Sequence, residues 1–184
     1  MSRHWLVLAL FAALCACLPV SGSSAAPGAA TACNLRGSWV ASTAETNRYM
    51  QALNPTTTAI TVTSGALSAT FDRGTFTFGS LGLKLKGRKG AISIKEELDI
   101  EAVAPYTAAA GRISLGRGTY KLRYISVVIT TSSGTTVPVR LPSTSTATPR
   151  GAAAYTCTPS TLRLRVPLGG GDRGVTLTLQ RDRG

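Results

Sequence analysis

The chain has 184 residues, with 20 Lys and Arg against 8 Asp and Glu, and a formal net charge of +12 at pH 7. Its single histidine, His4, lies at the extreme N-terminus, so the rest offers no base for a Ser-His-Asp or Cys-His site and lacks the commonest zinc ligand. This composition points away from an enzyme and from a resident metal or cofactor, while the positive charge favours contact with polyanions.

Arg3 and His4 precede an apolar run from Trp5 to Leu18, and small residues follow from Pro19 to Ala32. A basic start, an apolar centre and small residues together form an export signal. The run is shorter than the ~20 apolar residues that a spanning helix needs. Residues 1–25 read as the signal, with cleavage after Ala25, residues 26–32 as a flexible leader, and 33–184 as one domain long enough to bury its own core. A second reading rests on Leu14-Cys15-Ala16-Cys17, which resembles a bacterial lipobox in its Leu and its Ala. Processing there would leave lipid on Cys17 and tether the domain to a membrane face. Release is the preferred reading, so membrane contact is expected only if Cys17 is lipidated. Cys33 and Cys157 lie near the two ends of the domain. An exported chain meets an oxidising compartment, so this pair reads as a disulfide.

Ser42-Thr43-Ala44-Glu45 has the form of a capping box and predicts a short helix from Thr43 to Leu53. Tyr49, Met50 and Leu53 give it one apolar side, and Asn54-Pro55 stops it, because the residue before a proline avoids the helical region. The period then changes to two. Ile60 and Val62 alternate with threonines, and Leu67, Ala69 and Phe71 lead into the turn Asp72-Arg73-Gly74. Phe76 and Phe78 continue beyond it. Leu81, Leu83 and Leu85 alternate with Lys84 and Lys86, and Gly87 to Gly90 reads as a turn. Ile92, Ile94, Leu98 and Ile100 mark the next strand, with Lys95, Glu97, Asp99 and Glu101 on its other face. Gly111 to Gly118 reads as a loop or short strand pair. Tyr120, Leu122 and Tyr124 oppose Lys121 and Arg123, and Val127 to Ile129 extends that strand. Residues 132–151 read as the longest loop, with a short strand over Val137, Val139 and Leu141. Three more alternating runs close the chain, ending at Leu179. One wet and one apolar face per strand predicts an antiparallel sheet. Sequential hairpins predict an all-β, up-and-down barrel of eight to ten strands with one short N-terminal helix. A two-sheet β-sandwich has the same alternation and is the runner-up.

Cys33-Asn34-Leu35-Arg36-Gly37-Ser38-Trp39 precedes the run Arg48-Tyr49-Met50-Gln51-Ala52-Leu53. Gly37-Ser38-Trp39 resembles the G-x-W signature that opens the first strand of lipocalins and fatty-acid-binding proteins. Tyr49 to Leu53 resembles the short helical lid that follows it in the latter. Tyr155-Thr156-Cys157, Leu162-Arg163-Leu164 and the terminal Thr176-Leu177-Thr178-Leu179 are similar to small secreted lipocalin-like bacterial proteins. The resemblance implies a calycin-type barrel in which Gly37 and Trp39 plug one end of the core. It also implies that Arg181 lies over Trp39 and that the helix with Tyr49 and Met50 covers a cavity mouth. The Arg-x-Tyr pair by which fatty-acid-binding proteins hold a carboxylate has no counterpart in Leu179-Gln180-Arg181-Asp182-Arg183. Fatty-acid recognition is therefore not carried over.

Inward candidates are Phe71, Phe76, Phe78, Leu83, Leu85, Ile94, Tyr120 and Tyr124. The candidate ligand-binding residues are Tyr49, Met50, Phe76, Phe78, Tyr120 and Tyr124. Glu96, Glu97, Asp99 and Glu101 form the one acidic cluster; the last three share a strand face, where pairing with Lys84, Lys86 or nearby arginines is expected rather than a bound cation. Gly169-Gly170-Gly171-Asp172-Arg173-Gly174 matches GxGxxG, but the alternating residues after it predict a strand where a dinucleotide site needs a helix. Lys84-Leu85-Lys86-Gly87-Arg88-Lys89 is the densest basic run, which Arg163 and Arg165 would extend if their strand lay nearby. It has no interleaved aromatics, so no specific nucleic-acid binding is expected. The function read from the sequence is an exported, non-catalytic barrel that holds a small apolar ligand or lipid. The alternative is a basic surface that docks on a polyanion, an envelope component or a partner protein, in the manner of secreted lysozyme inhibitors.

Overall fold

A computed structural model of the chain describes residues 33–53, 59–148, 151–167 and 174–183. Residues 1–25, read as an export signal and containing Cys17, residues 26–32, read as a leader, the Asn54-Pro55 stop and the glycine-rich run at 169–173 lie outside the described residues. The elements in chain order are β1 (Gly37–Val40), α1 (Thr43–Leu53), β2 (Ala59–Ser64), β3 (Ser68–Asp72), β4 (Thr75–Lys89), β5 (Ile92–Ala109), β6 (Arg112–Leu115), β7 (Gly118–Thr130), β8 (Thr136–Pro138), β9 (Thr144–Thr148), β10 (Gly151–Cys157), β11 (Thr161–Pro167) and β12 (Gly174–Arg181).

Several of these segments are parts of one longer strand. β2 and β3 lie end to end along β4, Ile60 facing Gly87 and Phe71 facing Phe76. β6 and β7 do the same along β5, and β10, β9 and β8 along β6 and β7. Merged in this way the segments form eight antiparallel strands in chain order, and β12 pairs with β1 to close the barrel. Closure removes the sandwich alternative, because the ring contains no division between two sheets. β11 sits beside β10 and β12, far from the β4–β5 hairpin in the ring. Arg163 and Arg165 therefore do not extend the basic run of that hairpin.

Bulges explain where simple alternation misleads. Phe76, Phe78 and Ser80 point inward from even positions of β4, whereas Leu83 and Leu85 point inward from odd ones. A change of phase requires an extra residue, and the register shifts between Ser80 and Leu83. Leu81 lies on that bulge and is 84% exposed, which corrects the alternation read across Leu81, Leu83 and Leu85. The turn read at Gly87 to Gly90 is likewise displaced: Gly87 and Arg88 still pair with Ile94 and Ser93, and the chain reverses at Gly90-Ala91. The Asp72-Arg73-Gly74 turn reverses the chain between β3 and β4, with φ of 42° at Arg73 and 83° at Gly74, the two positive values of a type I′ hairpin. Gly79 allows β4 and β5 to meet closely, since a Cβ there would lie 2.0 Å from the Ile100 carbonyl oxygen.

Helix α1 closes a seam in the wall. β1 has only 4 residues, so above it β12 and β2 have no strand between them. Ser42 caps the helix, its Oγ accepting the Glu45 N–H at 3.1 Å. Glu45 does not reach back as the capping-box reading anticipates. Its carboxylate instead accepts the Thr178 N–H of β12 at 3.1 Å, and Arg48 donates to the Thr176 carbonyl. On the other flank Asn47 Oδ1 accepts the Val62 N–H of β2 at 2.8 Å, and Gln51 Nε2 donates to the Ile60 carbonyl at 3.3 Å. Side chains of α1 thus satisfy backbone groups that a missing strand would have paired.

The end of the barrel where the chain enters is packed shut. Trp39 is fully buried, and its indole N–H donates to the Leu35 carbonyl at 2.8 Å. The Arg181 guanidinium carbon lies 4.1 Å from the Trp39 ring centroid. Arg181 also donates to the carbonyls of Pro159, Arg36 and Asn34 at 2.8, 2.9 and 2.5 Å. Gly37 makes room for this: its φ is +116°, and a Cβ there would lie 3.1 Å from Arg181 Nη1. Cys33 and Cys157 form a disulfide beside the plug, their Cα atoms 5.9 Å apart. A disulfide of this kind is stable in an oxidising compartment.

Candidate functional site

The opposite end, built from β2, β4, β5, β7 and β8, is organised as rows of inward side chains in direct register. The outermost complete row runs Ile60, Gly87, Ile94, Ile129, Val137 across these five strands. Each has a β-branched side chain except Gly87, which places no side chain between Ile60 and Ile94. Val137 is 46% exposed and Ile60, Ile94 and Ile129 are half-buried. Ile92, nearer the hairpin tip, is 44% exposed. Apolar inner-face residues that stay wet at a barrel mouth form a rim able to cover an apolar molecule.

The next row inward runs Val62, Leu85, Glu96, Val127. Its three aliphatic members are buried, and Glu96 stands among them half-buried. Sequence reasoning placed Glu96 within the acidic cluster and gave it no separate role. The signal was its phase: Ile94, Glu96, Leu98 and Ile100 share one face, whereas Glu97, Asp99 and Glu101 share the other. The outward three are paired as expected: Glu97 with Lys84 at 3.7 Å, Glu101 with Lys121 at 3.4 Å, and Asp99 with Arg123. The Glu96 carboxyl has no ion pair or hydrogen bond among the described residues. Burial pushes it above its ordinary value.

Below this row Leu83, Leu98 and Tyr124 lie in register. Tyr124 is half-buried and stands diagonally next to Glu96. Its hydroxyl is pushed up to about 12, first by burial and then by the negative charge of Glu96. Deeper still, Phe78, Ala102 and Tyr120 form another row, and burial is the main reason that Tyr120 is pushed up to about 12.

The sequence-predicted ligand residues separate into two groups here. Tyr49, Met50, Phe76, Phe78 and Tyr120 are buried in the packed layer beneath the rim. The Tyr49 ring meets Phe78 edge-on at 6.5 Å, and Phe78 stacks near Phe76 at 6.3 Å. Tyr124 alone reaches the rim. Ile60, Ile94, Ile129 and Val137 join it there, with Glu96.

A carboxylate among aliphatic side chains costs stability, which gives a direct check. Because the folded-state value of Glu96 is raised, the cost is fully present above that value and vanishes below the ordinary 4.5. Glu96→Gln is therefore expected to be more stable than the parent near neutral pH, by about 1 kcal/mol, at the lower end of what an unpartnered buried polar group costs. Urea midpoints at several pH values should show the margin shrinking on acidification, as the parent carboxyl takes up its proton.

On the outer face Lys86 stands directly opposite Lys95, with Arg88 one position beyond in the same outward phase. All three side chains are exposed. Like charges in direct opposition are mildly destabilising. Among the described residues no three His, Cys, Asp or Glu side chains gather as a metal site. No protein-family model matches this chain, and neither a curated protein nor a solved structure matches it.

Proposed function

We propose that this protein is an exported, non-catalytic β-barrel that holds a small apolar molecule at its open rim. The observation that carries the reading is the in-register row Ile60, Ile94, Ile129, Val137. Its apolar side chains face inward, remain partly wet, and flank Gly87, which has no side chain. The opposite end is plugged by Trp39, so a ligand enters from the rim and stays shallow. The N-terminal signal and the disulfide support export; lipid on Cys17 would keep the same domain at a membrane face.

Nile red, a neutral apolar dye, tests this. The protein is expected to bind it saturably, with a blue shift that persists from low to high salt. Ile129→Asn at the rim is expected to weaken binding by about tenfold, the loss of one well-covered apolar side chain. No saturable binding would overturn the proposal. A second reading, docking of a polyanion on the outer face, is favoured by the Lys86–Lys95 opposition. Heparin retention that collapses with salt, together with no response to Nile red, is the result that would select it.

A further inference from the structure

We infer that the molecule held at the rim carries a positive charge: an amine or quaternary ammonium with an apolar body, met by Glu96. The inference rests on the rim reading and adds the chemistry of the ligand's head. Glu96 occupies the middle of a row whose other members, Val62, Leu85 and Val127, are buried aliphatics. The side chains in phase with it on its own strand are Ile94 and Leu98. On β4 its neighbours are Leu85 and Gly87, and on β7 they are Val127 and Tyr124. Among the described residues no cation of the barrel's inner wall answers it, although the chain carries 20 Lys and Arg. Every acid of the outward face of β5 has its basic partner, so the unpaired acid is the inward one.

The place fits an ammonium group in three respects. Glu96 supplies the opposite charge in surroundings poor in water, where a charge-assisted contact is strong. Tyr124 stands diagonally beside it and offers an aromatic ring, the usual companion of a carboxylate in ammonium recognition. Gly87, in the row above, places no side chain of its own between Ile60 and Ile94 on the way to Glu96. The apolar body then rests on Ile94, Ile129 and Val137. An anionic head is disfavoured here, since it would meet Glu96. The general field of the protein is strongly positive and draws anions, so a preference for a cation is attributable to this local site.

Octyltrimethylammonium, octanol and octanoate, titrated by calorimetry below their aggregation concentrations, form a series with one tail and three heads. The ammonium is expected to bind one per chain and about tenfold or more tighter than octanol. Glu96→Gln is expected to remove most of that margin, by weakening the ammonium far more than octanol. Tyr124→Leu is expected to reduce the margin in part. The Gln variant is expected to be at least as stable as the parent, so loss of binding in it is not loss of the fold. Equal binding of ammonium and octanol by the parent overturns the inference but leaves the apolar rim standing, as does a margin that survives Glu96→Gln. Tightest binding of octanoate also overturns it. Failure of all three tails, together with Nile red, removes the rim reading itself.

Discussion

Trp39→Ala is expected to lower stability by about 3–5 kcal/mol, the range for deleting a large buried aromatic side chain. Three losses coincide at this position. The indole is fully buried, so its removal leaves a cavity at the closed end. The Leu35 carbonyl loses the N–H that it accepts at 2.8 Å. Arg181 loses the ring beneath its guanidinium, and with it the surface that aims its donors at Asn34, Arg36 and Pro159. Trp39→Phe keeps much of the volume but not the donor, and should fall between the parent and the alanine variant. Urea unfolding followed by circular dichroism measures both. Dye binding at the rim by the folded fraction should be unchanged, because the rim lies at the other end. A loss below about 1 kcal/mol, the scale of an ordinary surface change, would show that the plug is not part of the cooperative core.

The barrel was legible because alternation is a physical requirement of a sheet with one wet face. Ile92 to Ile100 and Tyr120 to Tyr124 state that requirement plainly. Bulges were harder to read, since one extra residue reverses the phase without any change in composition. Phe76 and Phe78 are even while Leu83 and Leu85 are odd, and that parity conflict was the available sign of the bulge that exposes Leu81. The partition of Glu45 was not legible. Spacing alone predicts a carboxylate that turns back to Ser42, whereas β12 brings the Thr178 N–H within reach, and a tertiary partner wins. For the candidate site, aromatic residues drew attention to Tyr49, Phe76, Phe78 and Tyr120, all of which the core absorbs. The rim residues are short aliphatics whose role depends on their being in register across five strands. Register between distant strands is set by bulge positions and loop lengths, so it becomes visible only in the folded chain.

The two ends of the barrel therefore obey different demands. At the closed end the Trp39 indole and the Arg181 guanidinium both have their partners, and Gly37 adopts a backbone conformation that suits Arg181. At the rim the Glu96 carboxylate has no partner among the described residues and apolar side chains stay partly wet. A chain selected for stability alone would place an aliphatic residue at position 96, to match Val62, Leu85 and Val127. Local departure from that pattern is what binding sites impose on a stable scaffold.

The second large effect is expected from the disulfide. Replacing both Cys33 and Cys157 with alanine should lower stability by about 2–5 kcal/mol, since the bond closes a long loop and limits the unfolded chain. The separation of 124 residues puts the chain-entropy contribution near the top of that range, ~5 kcal/mol. Its position in the native state adds a second contribution. Cys33 precedes the segment whose Asn34 and Arg36 carbonyls accept from Arg181, and Cys157 precedes the turn whose Pro159 carbonyl does the same. The covalent bond and the guanidinium thus tie the same two segments together. When either tie is lost the other still holds them, so Arg181→Ala should cost more in the cysteine-free background than in the parent. A double-mutant cycle of urea midpoints measures this coupling. Equal midpoints for the oxidised and cysteine-free proteins would remove the disulfide as a source of stability. The same bond reports on export. In protein recovered from outside the producing cell, Cys33 and Cys157 should resist alkylation until a reductant is added; thiols that react at once would count against an oxidising compartment.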